Sequence, residues 1–338
     1  MDQLVPKFIN NNDRTVLTNH VTPMAKALFD IPKNKTCLIF DASYRFVKKS
    51  KNYSGQKQLW SEQKKMPLIK PMVGYTSDGW VQFVLGPFDA THNDATILKD
   101  CFHRYPSEMD VIHENDVLLV DRGFRNVIQF LTENKGLKVH YPGFGQLNTL
   151  DANLSRFVTK YRWIVEQLFG RVKGKFPIFA IPAHNSTLIH DYQSLLIAFA
   201  LLNLFHEPIL SDRINEDIAV LMKSRLHIPN RLQCIVENFN LSKVRAAFLE
   251  MEYVTLDNVE NNQQFRFPQL TLDDLYNISL GPYQIQNAIS YYTEHQNEGI
   301  FLVSKFQPNP KHKTAAIRFT SFNITIQDPV LIKAYMKS

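Results

Sequence analysis

Three acidic residues stand out because of where they fall in the sequence. Asp41 ends the apolar run TCLIFD, Asp121 ends the apolar part of NDVLLVDRGF, and Glu166 lies within RWIVEQLFGRVKGKF. Three carboxylates brought together repel one another unless a cation compensates, and hard oxygen ligands suit magnesium. Two such ions about 3.5 to 4 Å apart activate an attacking water or 3′-hydroxyl in phosphodiester transfer. The set therefore predicts metal-dependent chemistry on nucleic acid.

Each carboxylate also has an ordinary structural interpretation. An Asp after an apolar strand is common in α/β proteins, and Glu166 falls on the polar side of an amphipathic helix. Arg162, four residues earlier, would give Glu166 a solvated ion pair worth a few tenths of a kcal/mol. For Glu166 alone this structural interpretation is favoured. The combination of the three carboxylates shifts the balance toward a shared metal site. The apolar stripe of that helix is formed by Phe157, Tyr161, Ile164, Leu168 and Val172.

The elements needed to position these carboxylates follow from the apolar pattern. Two apolar runs joined by Ser77, Asp78 and Gly79 predict a β-hairpin, and further runs that end in turn residues predict three more strands. Helical segments lie between them. The pattern predicts an α/β fold, a mixed sheet with flanking helices, and functional groups in such folds gather at the carboxyl ends of strands. The predicted strands are 36–41, 66–76, 80–88, 115–121 and 137–144; the helices are 93–105, 125–136 and 151–176.

Composition indicates a folded protein of two units. The chain has 338 residues, 44% hydrophobic and 21% charged, with a net charge of +6 that favours a polyanionic partner. Cys37, Cys101 and Cys234 are too scattered for a disulfide framework or a zinc knuckle, which indicates a reducing compartment. The apolar run 195–205 is shorter than the roughly 20 residues of a membrane span. We therefore expect a soluble, intracellular protein without a membrane segment, in which that run is a buried helix.

A basic segment follows the Asp41 strand and is the predicted DNA contact. It could be only a solvated loop, yet it leaves the strand where a phosphate backbone would have to lie. Aromatic residues are interleaved with its cations, and Arg45 and Lys70 stand at its two ends. The predicted DNA-binding residues are Lys48, Lys49, Lys51, Lys57, Lys64 and Lys65, together with Arg162 and Lys173 on the later helix.

Other chemistries find no motif in the chain. There is no dinucleotide-binding glycine pattern, no P-loop and no G-x-S-x-G elbow. His92, His103, His113 and His140 lack the spacing of a metal-binding pair, so ordinary surface or core positions are predicted for them.

The ordered blocks LIFDAS, KPMVGYTSDG, LGPFDATHNDATIL, LLVDRGF and RWIVEQLFGRVKGKF resemble those of the Harbinger/PIF-type DDE transposases. This resemblance implies a ribonuclease H-like core that cleaves DNA and transfers its strands. It implies that Asp41, Asp121 and Glu166 are the catalytic residues and bind Mg²⁺ or Mn²⁺, as two ions. Asp94 matches another acidic position of the family and is a further candidate metal ligand, with a helix N-cap as its alternative role.

The resemblance also bears on organisation and partners. We predict a lead-in at 1–35, a ribonuclease H-like catalytic domain at 36–210, and a smaller, mostly helical C-terminal accessory unit at 211–338. The family implies a nuclear location and a separate Myb-like DNA-binding partner, and a homo-oligomer is compatible with the sequence. Asp41 comes too early for the family's N-terminal helix-turn-helix region to precede it. A domesticated or decayed derivative that binds DNA or protein without cutting is therefore the alternative function.

Overall fold

The structure is a computed structural model, which describes most of the first two thirds of the chain. The described parts are residues 5–145, 147–209, 216–228 and 270–279, residues 285 and 288, and the backbone of 248–255, 301–308 and 331–336. The chain divides into two compact units, residues 1–227 and 228–338.

A seven-stranded mixed sheet forms the centre of the first unit. Its main strands lie in the order β5–β4–β1–β6–β7; β2 and β3 both pair with β4. Strands β5, β4 and β1 are antiparallel neighbours, whereas β1, β6 and β7 run parallel. The strands are β1 Cys37–Ala42, β2 Arg45–Phe46, β3 Trp60–Ser61, β4 Met66–Thr76, β5 Val81–Asp89, β6 Val117–Leu119 and β7 Lys138–His140.

This arrangement confirms the predicted mixed α/β sheet and is consistent with a ribonuclease H-like fold. The predicted hairpin is β4 and β5, joined at Gly79, whose φ of 90° favours a residue without a side chain. Strand β4 is buried at every position after Met66, because helices cover both faces of the sheet. Such burial explains why these strands read as continuous apolar runs in the sequence.

Helices pack on the two faces of the sheet. Helix α5 begins after its N-cap Asn93, and its apolar side joins a core with one face of β1 and β6. Helix α7 begins after Asn148 and contacts β1 and β6 from the other side, with its whole predicted apolar stripe buried. The helices of this unit are α1 Val5–Phe8, α2 Arg14–Asn19, α3 Pro23–Phe29, α4 Tyr53–Leu59, α5 Asp94–Arg104, α6 Pro106–Met109, α7 Thr149–Lys175, α8 Leu188–Leu204 and α9 Glu216–Ser224.

One predicted helix has a different local form. The segment predicted as a single helix at 125–136 consists of a 3₁₀ turn, Arg122–Val127, and a π-helical turn, Phe130–Asn134. It ends at Gly136, as predicted, with a φ of 63°. A backbone bond from Leu137 to the carbonyl of Leu131 closes the wide turn.

Helix α8 is the apolar helix of the sequence analysis. Together with the preceding turn it forms a segment, Asn185–Leu204, that could cross a membrane by length and composition alone. In the structure α8 packs against the sheet. Its Asp191 forms a buried ion pair with Arg45, and its Tyr192 hydroxyl donates to the carbonyl of Val84 at 3.0 Å. The run 195–205 was predicted as a buried helix and is only partly buried, because Leu195, Ala198, Phe199, Ala200 and Asn203 are buried whereas Leu204 and Phe205 are exposed.

The second unit contains strands as well as helix. Among its described residues, three antiparallel strands form a sheet in the order β10–β9–β8, and the described helix is α10. The prediction of a mostly helical unit is therefore wrong for these residues. The chain forms a strand from Phe248, and apolar and acidic residues alternate from Leu249 to Tyr253, which is the period of a strand. The elements are β8 Phe248–Thr255, α10 Leu272–Ser279, β9 Phe301–Pro308 and β10 Leu331–Met336.

Helix α9 lies close to the predicted domain boundary at residue 210. It packs against α3, and Lys223 donates to Asp30 at 2.6 Å. The compact first unit therefore extends to residue 227. The assignment of 36–210 as a catalytic domain and 211–338 as an accessory region stays a prediction.

Candidate active site

The parallel pairing of β1 with β6 sets the positions of two predicted catalytic residues. Cys37 pairs with Val117 and Ile39 with Leu119, an offset of 80 residues. The same offset, continued by two residues, places Asp41 beside Asp121. Adjacent strands lie about 4.8 Å apart, and residues in register project from the same face. Both carboxylates therefore stand at the carboxyl end of the sheet on one face.

The face that carries these carboxylates is the one covered by α7. Alternate β1 residues Leu38, Phe40 and Ala42 join the core under α5, so Asp41 projects to the other side. Arg162 of α7 reaches across, and its Nη2 atom lies 2.8 Å from Oδ2 of Asp121. The other Asp121 oxygen accepts the backbone N–H of Arg122 at 2.6 Å.

The electrostatics of Asp41 reflect a crowded acidic site. Burial raises the pKa of Asp41 to about 7; the positive charge of Arg162 opposes this rise, and the negative charges of Asp94 and Asp121 add to it. Asp41, Asp94 and Asp121 thus form a group of carboxylates that act on one another. Arg162 supplies the nearby positive charge that partly compensates them.

Asp94 belongs to this group and does not cap α5. The N-cap is Asn93, whose side chain accepts the backbone N–H of Thr96 at 2.8 Å. Asp94 follows it and accepts a hydrogen bond from Nζ of buried Lys70 at 3.2 Å. Lys70 also donates to the carbonyl of His92 at 2.9 Å, which fixes the lysine against the start of α5.

Glu166 lies one helical turn beyond Arg162 and is exposed. Residues four apart share one side of a helix, and helical side chains lean toward the N-terminus. Glu166 therefore projects from the side of α7 that reaches Asp121 through Arg162. Its place as a third metal ligand stays a prediction.

The three carboxylates suit a divalent metal ion by their chemistry, but among the described residues their ligand atoms are not gathered within 4.8 Å of one another, so metal binding here stays a prediction. Asp41, Asp94 and Asp121 offer hard oxygen donors at one sheet edge, and the charges of Asp94 and Asp121 add to the burial that raises the pKa of Asp41. A dication would supply the positive charge that Arg162 provides only in part. A set of carboxylate oxygens would suit Mg²⁺ or Mn²⁺.

Tyr44 is a residue of this site that the sequence analysis missed. Its partly buried ring lies beneath two lysine ammonium groups, with Nζ of Lys64 at 5.1 Å and Nζ of Lys70 at 5.6 Å from the ring centroid. Burial raises the pKa of Tyr44 to about 12, and the charges of Asp94, Asp41 and Asp121 add to the effect. The one sequence signal that could have pointed to Tyr44 is its position three residues after Asp41.

The basic segment is mostly, but not wholly, a solvent-facing surface. Two of its cations are buried: Arg45 forms an ion pair with Asp191, and Lys70 binds Asp94. These two residues hold the fold together and are not open to a phosphate backbone. Arg162 is partly exposed and paired with Asp121. The predicted DNA-binding residues that are exposed are Lys48, Lys49, Lys51, Lys57, Lys64, Lys65 and Lys173.

The chain was compared with known protein families over this region. Residues 40–203 match the family model described as DDE superfamily endonuclease. The DDE superfamily match spans Asp41, Asp94, Asp121 and Glu166, and it indicates a nuclease domain of the transposase type. Enzymes of this superfamily typically use divalent metal ions, and the endonuclease description implies a DNA substrate. Comparisons with curated proteins and with solved structures found no match.

Proposed function

We propose that this protein is a metal-dependent DNA endonuclease and strand transferase of transposon origin, related to the Harbinger/PIF type. Asp41, Asp121 and Glu166 are its catalytic triad. The single observation that carries the proposal is the parallel register of β1 with β6, which, continued by two residues, sets Asp41 beside Asp121 at the sheet edge where Arg162 of α7 pairs with Asp121. The DDE superfamily match over residues 40–203 supports it.

The reaction is phosphodiester hydrolysis followed by strand transfer. The oxygen of water bonds to phosphorus, the P–O3′ bond breaks, one water proton passes to a base, and the departing 3′-oxygen takes up a proton, which leaves a 3′-hydroxyl and a 5′-phosphate. In strand transfer the oxygen of this 3′-hydroxyl bonds to a phosphorus of the target strand, the P–O3′ bond of the target breaks, and the hydroxyl proton is balanced by the proton that the released target 3′-oxygen takes up. Two Mg²⁺ or Mn²⁺ ions, when bound, would activate the attacking oxygen and stabilise the leaving one. Asp41 stands on β1 and Asp121 caps the 3₁₀ turn that follows β6, and we propose that Glu166 completes the set from α7.

The protein's own residues also arrange the site around the triad. Lys70 restrains Asp94 at the start of α5, so this carboxylate keeps its place near Asp41. Arg162 pairs with Asp121 and lies close enough to lower the pKa of Asp41. Arg162 must release Asp121 at least in part when a metal ion binds there.

DNA is proposed to lie over the exposed lysines that follow β1. These residues begin next to the carboxylate edge and continue onto α4, where Tyr53 is 83% exposed. An exposed aromatic ring among cations suits a base that stacks beside a tracked backbone. Tyr53, Lys57 and Trp60 also line a cavity of about 540 Å³.

A nuclear location, a separate Myb-like DNA-binding partner and a homo-oligomeric state complete the proposal. They rest on the resemblance of the sequence blocks. A fluorescent fusion that stays in the cytoplasm when the partner is co-expressed would contradict the first two points, and light scattering of the purified protein tests the third.

The test of the proposed function is nicking of supercoiled plasmid by purified protein in Mg²⁺, Mn²⁺ or EDTA. We expect cleavage in either metal and none in EDTA. The cleavage rate should fall by about 100-fold or more in Asp41→Asn, Asp121→Asn and Glu166→Gln, because each variant removes a proposed catalytic group. Asp110→Asn, an exposed carboxylate beyond the opposite edge of the sheet, is the matched control.

The outcomes separate the two functions. Cleavage that persists in an Asp41→Asn/Asp121→Asn/Glu166→Gln triple variant would refute the triad. A folded wild-type protein that binds DNA and never nicks it would favour the alternative, a derivative that binds without cutting.

A further inference from the structure

A second group of metal-ligating side chains lies at the turn between β4 and β5. The carboxylate of Asp78 faces two imidazole rings that come from distant parts of the chain. Nδ1 of His20 lies 2.7 Å from Oδ2 of Asp78, and Nε2 of His206 lies 3.3 Å from the same oxygen. The three ligand atoms all lie within 4.8 Å of one another.

This group lies away from the candidate active site. In the β1–β4 pairing, Asp41 is opposite Val73, whereas Thr76 is opposite Leu38 at the other end of β1. The turn that carries Asp78 therefore extends beyond the amino end of β1. The turn therefore lies at the opposite end of β1 from Asp41 and its neighbouring carboxylates, Asp94 and Asp121.

The two oxygens of Asp78 have separate tasks. Oδ1 shapes the turn, since it accepts the Thr76 hydroxyl at 2.7 Å and the Trp80 backbone N–H at 3.1 Å. Oδ2 is turned toward both histidines. An ordinary turn aspartate requires only the first set of contacts, so the second set is additional to the needs of the hairpin.

The rings are held in place before any ion binds. The His20 ring stacks on Trp80 with centroids 4.3 Å apart and an interplanar angle of 21°. The His206 ring meets both of them edge-on, at 5.3 Å from His20 and 5.6 Å from Trp80. Asn203, one turn earlier, fixes the end of α8 through its side-chain bonds to the backbone of Val81.

The donor set identifies the class of ion. Two imidazoles and one carboxylate suit Zn²⁺, which binds such ligands at about 2.0–2.2 Å, whereas Mg²⁺ prefers oxygen alone. Tetrahedral coordination at that distance spaces the ligand atoms roughly 3.3 Å apart. The His206–Asp78 distance already has this value, and His20 needs to withdraw only slightly from Asp78.

We propose that His20, Asp78 and His206 form a Zn²⁺ site that fastens α2 and the end of α8 to the β4–β5 turn. The site uses three protein ligands and leaves a fourth position for water. Its partial exposure, 23% for His20 and 12% for His206, gives the ion a path from solvent.

The experiment measures zinc stoichiometry and thermal stability of the full chain. After removal of metals with a chelator, the wild-type protein is titrated with Zn²⁺ against a chromophoric competitor. We expect one Zn²⁺ per chain and a rise in Tm, and the loss of both in His20→Asn and His206→Asn. His190→Asn, an exposed histidine on α8, is the control that keeps both.

Two further variants keep the test decisive. His206→Cys retains a ligand, so it should restore zinc binding and give a thiolate-to-metal charge-transfer band with Co²⁺. Asp41→Asn/Asp121→Asn should keep the zinc stoichiometry, which separates this site from the proposed catalytic one. A wild-type protein that binds no Zn²⁺, or histidine variants that bind as much as the wild type, would overturn the proposal.

Discussion

At the scale of single residues, the molecule concentrates unfavourable charge at one sheet edge. Asp41, Asp94 and Asp121 act on one another, and Arg162 compensates them only in part. Without a metal ion, this arrangement destabilises the fold. Such a destabilising arrangement agrees with the proposed roles of the carboxylates in binding and catalysis, because functional residues are not selected for stability alone.

The first residue-scale prediction concerns pH. The pKa of Asp41 is raised from 3.8 to about 7 by burial, so its contribution to stability is fully present below about pH 3.8 and is lost as the pH rises toward 7. Asp41→Asn should therefore unfold at a higher temperature than the wild type in EDTA at pH 8. After discounting for solvent exposure, we expect about 1 to 2 kcal/mol, or roughly 3–6 °C.

The measurement is a series of thermal melts from pH 4 to 8 in EDTA. The difference between Asp41→Asn and the wild type should grow up to about pH 7 and then stay constant. Asp110→Asn serves as the control and should show no such trend; a difference that is flat with pH for Asp41→Asn would contradict the raised pKa.

The second residue-scale prediction concerns Arg162. Its guanidinium is 2.8 Å from Asp121, so it would compete with the proposed metal ion for that carboxylate. Arg162→Gln should lower Tm in EDTA and should increase the rise in Tm that Mg²⁺ produces. Melts with and without Mg²⁺ measure this, with Arg156→Gln on the exposed side of the same helix as the matched control. An unchanged Mg²⁺ increment in Arg162→Gln would show that the two cations do not compete.

At the scale of elements, a buried ion pair ties the sheet to α8. Both the Nε and Nη2 atoms of Arg45 donate to Asp191, and the guanidinium also donates to backbone carbonyls of the segment after α7. Arg45 belongs to β2, whereas Asp191 belongs to the first turn of α8. The pair therefore fixes the helix that covers the hairpin.

We predict that removing either member of this pair is strongly destabilising. Arg45→Met and Asp191→Leu should each cost about 3–5 kcal/mol, because each leaves a buried charge without its partner, while the double variant should cost much less than the sum. Urea denaturation provides the measurement. The exposed pair Arg104 and Asp100 is the control, with single-variant costs below about 1 kcal/mol; additive costs for Arg45 and Asp191 would contradict the coupling.

Much of the element pattern could be predicted from the sequence, whereas the long-range contacts could not. Apolar runs separated by turn residues predicted the β4–β5 hairpin, and apolar residues at helical spacing predicted the buried stripe of α7. Both are local signals. The burial of Arg45 and Lys70 depends on Asp191 and Asp94, which lie far away in sequence. For the same reason His20 and His206 could not be recognised as neighbours.

At the scale of the compact first unit, charge is distributed unevenly. The exposed lysines after β1 lie beside the carboxylate edge, while Lys33 and Lys138 stand at the amino ends of β1 and β7. If DNA lies along the lysines after β1, as proposed, those lysines should contribute to DNA binding and Lys33 and Lys138 should not.

The salt dependence of DNA binding tests this prediction. Each phosphate contact contributes a slope of about 0.9 to the fall of log Kobs with log salt. Lys49→Gln/Lys51→Gln should reduce the slope by about 1.8, whereas Lys33→Gln/Lys138→Gln should leave it unchanged. Equal reductions in both double variants would mean that the lysines act only through net charge.

The 80-residue offset between β1 and β6 also has a consequence for how the chain acquires its chemistry. Parallel pairing across so long a stretch must wait for the hairpin and α5 to form between the two strands, because distant contacts close late in folding. Asp41 and Asp121 are therefore apart in a nascent or half-folded chain. If the proposed function is right, the nuclease should therefore stay inactive toward DNA during its own synthesis and become active only when β1 and β6 have paired.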